Sequence, residues 1–201
     1  MKKKLIIMIT ALALICSVAV IGTIAYLVDK TQAVENTFTA GNVDITLTES
    51  DADNDNDANA NEYKMIPGNT IEKDPEVTVE SGSEACWLFI KVEKTNDPDT
   101  YLSYSIDSTY WAPLNDSDSD GIADDGVYYY KGTELDELLT SDKTYPILEG
   151  NEVVVKTSLT KAQMDALKTS GKYPKLTFTA YAIQKANVSN VSTAWAEIGK
   201  Q

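Results

Sequence analysis

Ala85-Cys86-Trp87-Leu88-Phe89-Ile90-Lys91-Val92 is the stretch on which the fold turns. Successive side chains of a strand point to opposite faces, so a strand with one wet face alternates apolar and polar residues. Trp87, Leu88, Phe89 and Ile90 are apolar at odd and even positions alike. Such a segment belongs inside a sheet that is covered on both sides. Working outward, Val43, Ile45 and Leu47 alternate with Asp44, Thr46 and Thr48, and Val77 and Val79 repeat the period of two. Both read as half-buried strands. Residues 101–106, 127–130, 152–157 and 176–184 continue the series with β-branched and aromatic residues. Turn chemistry separates them: Pro67-Gly68-Asn69, Asn96-Asp97-Pro98, Glu149-Gly150-Asn151, and Gly171 with Pro174.

Helical signals are sparse. Thr160 is placed to cap residues 161–168, whose apolar content is Ala162, Met164, Ala166 and Leu167. Residues 134–139 and 193–198 are shorter candidates. The expected class is all-β, an antiparallel, jelly-roll-like β-sandwich with one or two short inserted helices.

Composition removes whole classes of chemistry. The chain has 201 residues, room for one domain with a small appendage, and a formal charge of −14. All 17 basic residues are lysines, and there is no histidine. Ser-His-Asp and Cys-His catalysis and every His-ligated zinc site are thereby excluded. Without arginine there is no bidentate fork for phosphate or guanine, and an acidic chain repels a phosphate backbone. No nucleic-acid partner is expected.

The first residues set the compartment. Lys2, Lys3 and Lys4 precede an uncharged apolar run from Leu5 to Val28. Thr23-Ile24-Ala25 puts small residues at the positions a signal peptidase requires, so cleavage is expected between Ala25 and Tyr26. An uncleaved anchor is the competing reading, because the run is long enough to span a bilayer. Either way the lysines stay cytoplasmic and the rest of the chain is outside. The expected organisation is a signal peptide over residues 1–25, an N-terminal segment over 26–40 and a sandwich domain over 41–201. Cys16 falls in the leader, leaving Cys86 alone, where it reads as a small buried hydrophobe.

Two acidic stretches, residues 51–62 and 115–125, cannot supply a core and read as loops. In the second, Asp116, Asp118 and Asp120 followed by Gly121 reproduce the D-x-D-x-D-G start of a calcium loop. Asp124 holds the ninth position, and Val127 stands where a bidentate Glu is expected. Asp125 is the substitute ligand. Calcium is the candidate cofactor, and a plain solvated loop is the alternative. Tyr128-Tyr129-Tyr130 and Tyr110-Trp111 read as sandwich core in preference to a carbohydrate-stacking surface.

Several of these segments carry a resemblance. Gly22-Thr23-Ile24-Ala25-Tyr26, Asp29, and Asn36-Thr37-Phe38-Thr39-Ala40-Gly41-Asn42-Val43-Asp44-Ile45 resemble the TasA and camelysin family. So do Pro67-Gly68-Asn69-Thr70, Phe89-Ile90-Lys91-Val92, the run from Tyr173 through Lys175-Leu176-Thr177-Phe178-Thr179-Ala180-Tyr181-Ala182 to Lys185, and Ala194-Trp195. The resemblance spans most of the chain but neither acidic loop. It implies export by a SipW-type signal peptidase and a jelly-roll subunit of extracellular biofilm matrix fibres. It also implies partners that are copies of itself and related matrix subunits, with the N-terminal segment of one subunit completing the sheet of the next. Residues 26–40 fit that mode, with Leu27, Val28, Val34 and Phe38 as donor-strand candidates and no tight turn to pair them locally. A flexible tether is the alternative. A calcium-dependent cell-surface adhesion or binding protein is the rival function. A camelysin-like protease is remote, since a zinc protease needs imidazole ligands and a base that this chain lacks.

Overall fold

The computed structural model describes residues 41–51 and 61–200. Among these residues, ten strands form three antiparallel sheets. They are β1 (Ile45–Thr48), β2 (Thr70–Glu72), β3 (Glu76–Val79), β4 (Cys86–Thr95), β5 (Leu102–Ser103), β6 (Trp111–Pro113), β7 (Val127–Tyr130), β8 (Lys143–Pro146), β9 (Glu152–Val155) and β10 (Lys175–Gln184). The sheet orders are β1-β3-β8, β2-β9-β5 and β10-β4-β7-β6. Chain neighbours are seldom sheet neighbours, as crossing connections in a sandwich require. The expected all-β class is what the structure shows.

The first two sheets are continuations of one another. The chain runs from β2 into β3, and from β8 into β9, while Ile147 N–H donates to Pro75 O and Lys73 N–H to Asn151 O across the join. The third sheet opposes them. Cys86, Leu88, Ile90 and Val92 of β4 share one face with Tyr128 and Tyr130 of β7. Leu176, Phe178, Ala180 and Ala182 of β10 extend that face, which meets Val77, Val79, Tyr145, Ile45 and Leu47 of the opposing strands. The odd residues Trp87, Phe89, Val127, Tyr129, Tyr181 and Ile183 point the other way and are covered by a C-terminal helix.

That helix is one of three among the described residues. They are α1 (Pro98–Tyr101), α2 (Lys161–Ser170) and α3 (Val191–Ile198), with a 3-10 turn at Glu149–Asn151. Thr160 caps α2 as expected, closing a capping box with Gln163 whose side chain returns a bond to the Thr160 N–H. Asn190 caps α3 through Thr193 N–H, and Ala194 and Trp195 then press onto Phe89. Trp195 sits 5.3 Å from both the Phe89 and Tyr181 ring centroids. Residues 134–139 are not helical. Their backbone is used otherwise: Leu135 O accepts from Cys86 N–H, and Leu139 exchanges bonds with Gly82 and Ser83.

Sequence-read strands recur as β1, β3, β4, β7, β9 and β10. Residues 101–106 are shorter than expected, yielding only β5 and a single bridge from Ile106 to Leu148. Asn96 and Asp97 both adopt left-handed backbone, which turns the chain out of β4 and lets Pro98 start α1. The aromatic triplet and Trp111 lie in the core or at its margin, with the Tyr130 and Tyr145 rings 4.3 Å apart. Their hydroxyls both donate to Glu134. Cys86 is buried and free.

β4 lies between β10 and β7 and is buried on both faces along most of its length. β10 pairs with β4 over all ten residues, from Lys175↔Thr95 to Gln184↔Cys86. Its outer edge has no partner strand among the described residues. Residues 178–183 are only half-buried, on both faces. β1, the edge of the opposing sheet, lies beside β10.

Candidate metal centre

The acidic loop is a closed excursion of the β6–β7 hairpin. Leu114 N–H donates to Val127 O, and Asp124 N–H to Asn115 O, so the loop is shut at its neck. Gly126 carries the chain back into the sheet at φ +73°, and its carbonyl accepts from Val92 N–H at 2.8 Å. A Cβ here would stand 2.3 Å from Val92 O, so only glycine fits.

Within the loop, side chains do the work of secondary structure. Asp116 Oδ1 accepts from Asp120 N–H at 3.1 Å and Oδ2 from Gly121 N–H at 3.0 Å. Asp120 Oδ1 accepts from Ile122 N–H at 2.8 Å. Gly121, at φ +83°, makes the sharp turn that brings the three carboxylates together. One ligand oxygen from each of Asp116, Asp118 and Asp120 lies within 4.8 Å of the others. The site faces solvent, with Asp118 and Asp120 exposed. Beneath it the buried Tyr128 hydroxyl accepts from Ala123 N–H at 3.1 Å, fixing the loop to the core.

The electrostatics follow from crowding. The Asp120 N–H bonded to Asp118 lowers its pKa, but the Asp120 and Asp116 carboxylates outweigh it and hold the Asp118 carboxyl above the ordinary aspartate value. Three carboxylate oxygens on alternate residues are the donor type that hard divalent cations take.

The structure separates the other two sequence candidates from this triad. Asp124 accepts from Ser117 N–H, and Asp125 accepts from Asn115 Nδ2 and Val127 N–H. Both carboxylates close the neck. Ala25, Tyr26, Leu27, Val28, Val34 and Phe38 lie outside the described residues, as do residues 52–60 of the first acidic stretch.

Sequence reasoning missed an anchor beside that first stretch. Lys73 Nζ lies 2.9 Å from both Glu49 oxygens, with both side chains largely buried. The Tyr63 hydroxyl donates to Glu49, and the ammonium stands over the Tyr63 and Phe178 rings at 5.3 and 5.4 Å. Asn61 Nδ2 donates to Ser50 O, and Ser50 bonds Asp74 through N–H and hydroxyl. Residues 49–50 are thereby tied to 61–63, and no local pattern in the sequence announces it.

The architecture and the site define an all-β antiparallel sandwich bearing an acidic loop with three convergent carboxylates and, among the described residues, one long strand edge without a ladder partner. Comparison with protein families, curated proteins and solved structures finds no match to this chain.

Proposed function

We propose that this protein is an exported structural subunit of extracellular matrix fibres, akin to the TasA and camelysin family, and that copies join head to tail. The single observation that carries the reading is the outer edge of β10. It is ten residues long and half-buried at Phe178, Ala180, Tyr181, Ala182 and Ile183. An open edge offers main-chain donors and acceptors to another chain. Residues 26–40 of a second copy supply a strand, with Leu27, Val28, Val34 and Phe38 filling apolar positions along that edge. A contact of this kind is heterologous and propagates into a filament. SipW-type cleavage after Ala25 would free the donor; sequencing the N-terminus of the secreted protein checks it, and a product retaining Lys2 would refute release.

Deleting residues 26–36 tests the assembly. The truncated protein should stay folded by circular dichroism and fail to form filaments in electron microscopy. The deleted segment, added as a free peptide, should cap growth of the intact protein. Filaments from the truncated protein would sink the donor-strand reading.

A second reading is favoured by the convergence of Asp116, Asp118 and Asp120. It is a calcium-dependent surface or adhesion module. Extracellular calcium sites bind at about 10⁻⁴ to 10⁻³ M, so millimolar calcium should raise the melting temperature. An unchanged melting curve, or the same rise in an Asp118→Ala, Asp120→Ala double variant, would reject the site.

A further inference from the structure

The protein is acidic overall, yet residues 156–175 carry Lys156, Lys161, Lys168, Lys172 and Lys175 against a single acid, Asp165. Lys161, Asp165 and Lys168 share one face of α2, spaced i, i+4 and i+7. Asp165 is taken by Lys161. Lys168, Lys172 and Lys175 are exposed, and none has a carboxylate partner within 4.0 Å among the described residues. Of the other charges near this end, Asp99 bonds Lys94, its carbonyl accepts from Lys156, and Asp97 accepts from Thr100.

The topology puts this basic face beside the acidic loop. Lys175 pairs with Thr95 at the C-terminal end of β4, and Asn96 Nδ2 donates to Tyr173 O. The acidic loop re-enters the sheet at the same end, where Val127 pairs with Lys91. β10 and β7 flank β4, and Val127 joins β4 four residues before Thr95, so the two patches leave the sheet about 16 Å apart, two strand spacings across and four residues along. One end of the sandwich therefore presents positive and negative patches side by side.

We propose that this end is a self-complementary docking surface for a second copy of the chain. In a two-fold arrangement, the lysines of each copy meet Asp116, Asp118 and Asp120 of the other, and both contacts form at once. Net charge opposes approach at long range. At physiological salt the Debye length is about 8 Å, so contact pairs prevail once the ends meet. The pairing is isologous and closes on itself, unlike a filament contact, and does not use residues 26–40.

Charge exchange tests it, with chelator present. One variant carries Lys168→Glu, Lys172→Glu and Lys175→Glu, and the other Asp116→Lys, Asp118→Lys and Asp120→Lys. In sedimentation at about 50 mM salt, each variant alone should pair at least tenfold more weakly than the unaltered protein. Their mixture should restore pairing. A control set reversing Glu80, Glu84 and Glu137 at the opposite end leaves both patches intact and should pair with itself as strongly as the unaltered protein. Raising salt to about 0.5 M should weaken pairing of the unaltered protein at least tenfold, a measurement that needs no variant. Deleting residues 26–36 should leave pairing intact, which separates this proposal from the fibre reading. Undiminished pairing in either variant, a mixture of the two that stays unpaired, or pairing weakened equally in the control set, would overturn it. An unaltered protein that stays unpaired but binds inorganic polyphosphate through these lysines would also overturn it, assigning the face to an anionic polymer.

Discussion

β4 and β10 are of equal length and run side by side through one ladder, yet they are buried to different depths. Phe89 and Ile90 of β4 are wholly inaccessible, whereas Phe178, Ala180 and Tyr181 of β10 are only half-covered. Composition does not separate them, since both are rich in apolar and aromatic residues. Position does. β4 has β10 on one flank and β7 on the other, with the opposing sheet on one face and α3 on the second. β10 has the same two layers, and β1 lies beside it, but among the described residues no strand hydrogen-bonds to its outer edge. The lesson is that apolar side chains at a sheet edge are an unfinished contact, and the cost of removing them measures how unfinished it is.

The largest effect should come from β4. Phe89→Ala removes a buried ring that packs on Trp195 and should cost about 3–5 kcal/mol in urea unfolding. Next is Gly126→Ala, at the seam of β4 and the acidic loop. Its Cβ would collide with Val92 O, and positive φ adds strain, so about 2–4 kcal/mol is expected in the same measurement. The matched change in β10, Phe178→Ala, should cost only about 1–2 kcal/mol in the monomer, because its ring is already part-exposed. If a donated strand covers that edge, the same substitution should weaken filaments disproportionately, which light scattering would record. Equal losses for Phe89→Ala and Phe178→Ala in the monomer would erase the contrast.

The acidic loop offers smaller effects. Calcium at ten times its Kd should add about 1.4 kcal/mol to unfolding. Smaller still is Asp118→Asn without calcium. The Asp118 carboxyl sits above its ordinary value in the folded state, so its charge disfavours folding at neutral pH. That penalty fades as pH falls through the carboxylate range and the group takes up its proton. The substitution should therefore raise the melting temperature slightly at pH 7 and not at pH 3, and it should diminish the calcium response.

Much of the sandwich was legible because its long strands carry their own signals. The unbroken apolar run of β4 and the alternation of β1 and β3 follow from burial on two faces and on one. β2, β6 and β8 were not legible. Each has three or four residues and one well-buried side chain at most, as with Trp111 or Tyr145, so no period can develop. Their pairing is imposed by neighbours: β8 is a strand because β3 supplies its ladder. The triad of Asp116, Asp118 and Asp120 was legible because the turn at Gly121 is local. The diversion of Asp124 and Asp125 was not, since it depends on how the loop's neck closes against the sheet.

Cys86 gives the protein a built-in clock. It is the sole cysteine among the described residues, and burial drives its thiol up to about 11 although Lys185 pulls the other way. Only a thiolate reacts, and only one that a reagent can reach. In the folded chain it is neither ionised nor accessible. Its labelling by an alkylating reagent must therefore wait for the β4–β10 ladder or the contacts of Leu135 to open, and the labelling rate reports how often they do. A subunit held in an assembly should run slow, a free one faster, and a damaged one faster still, all read from a single mass shift.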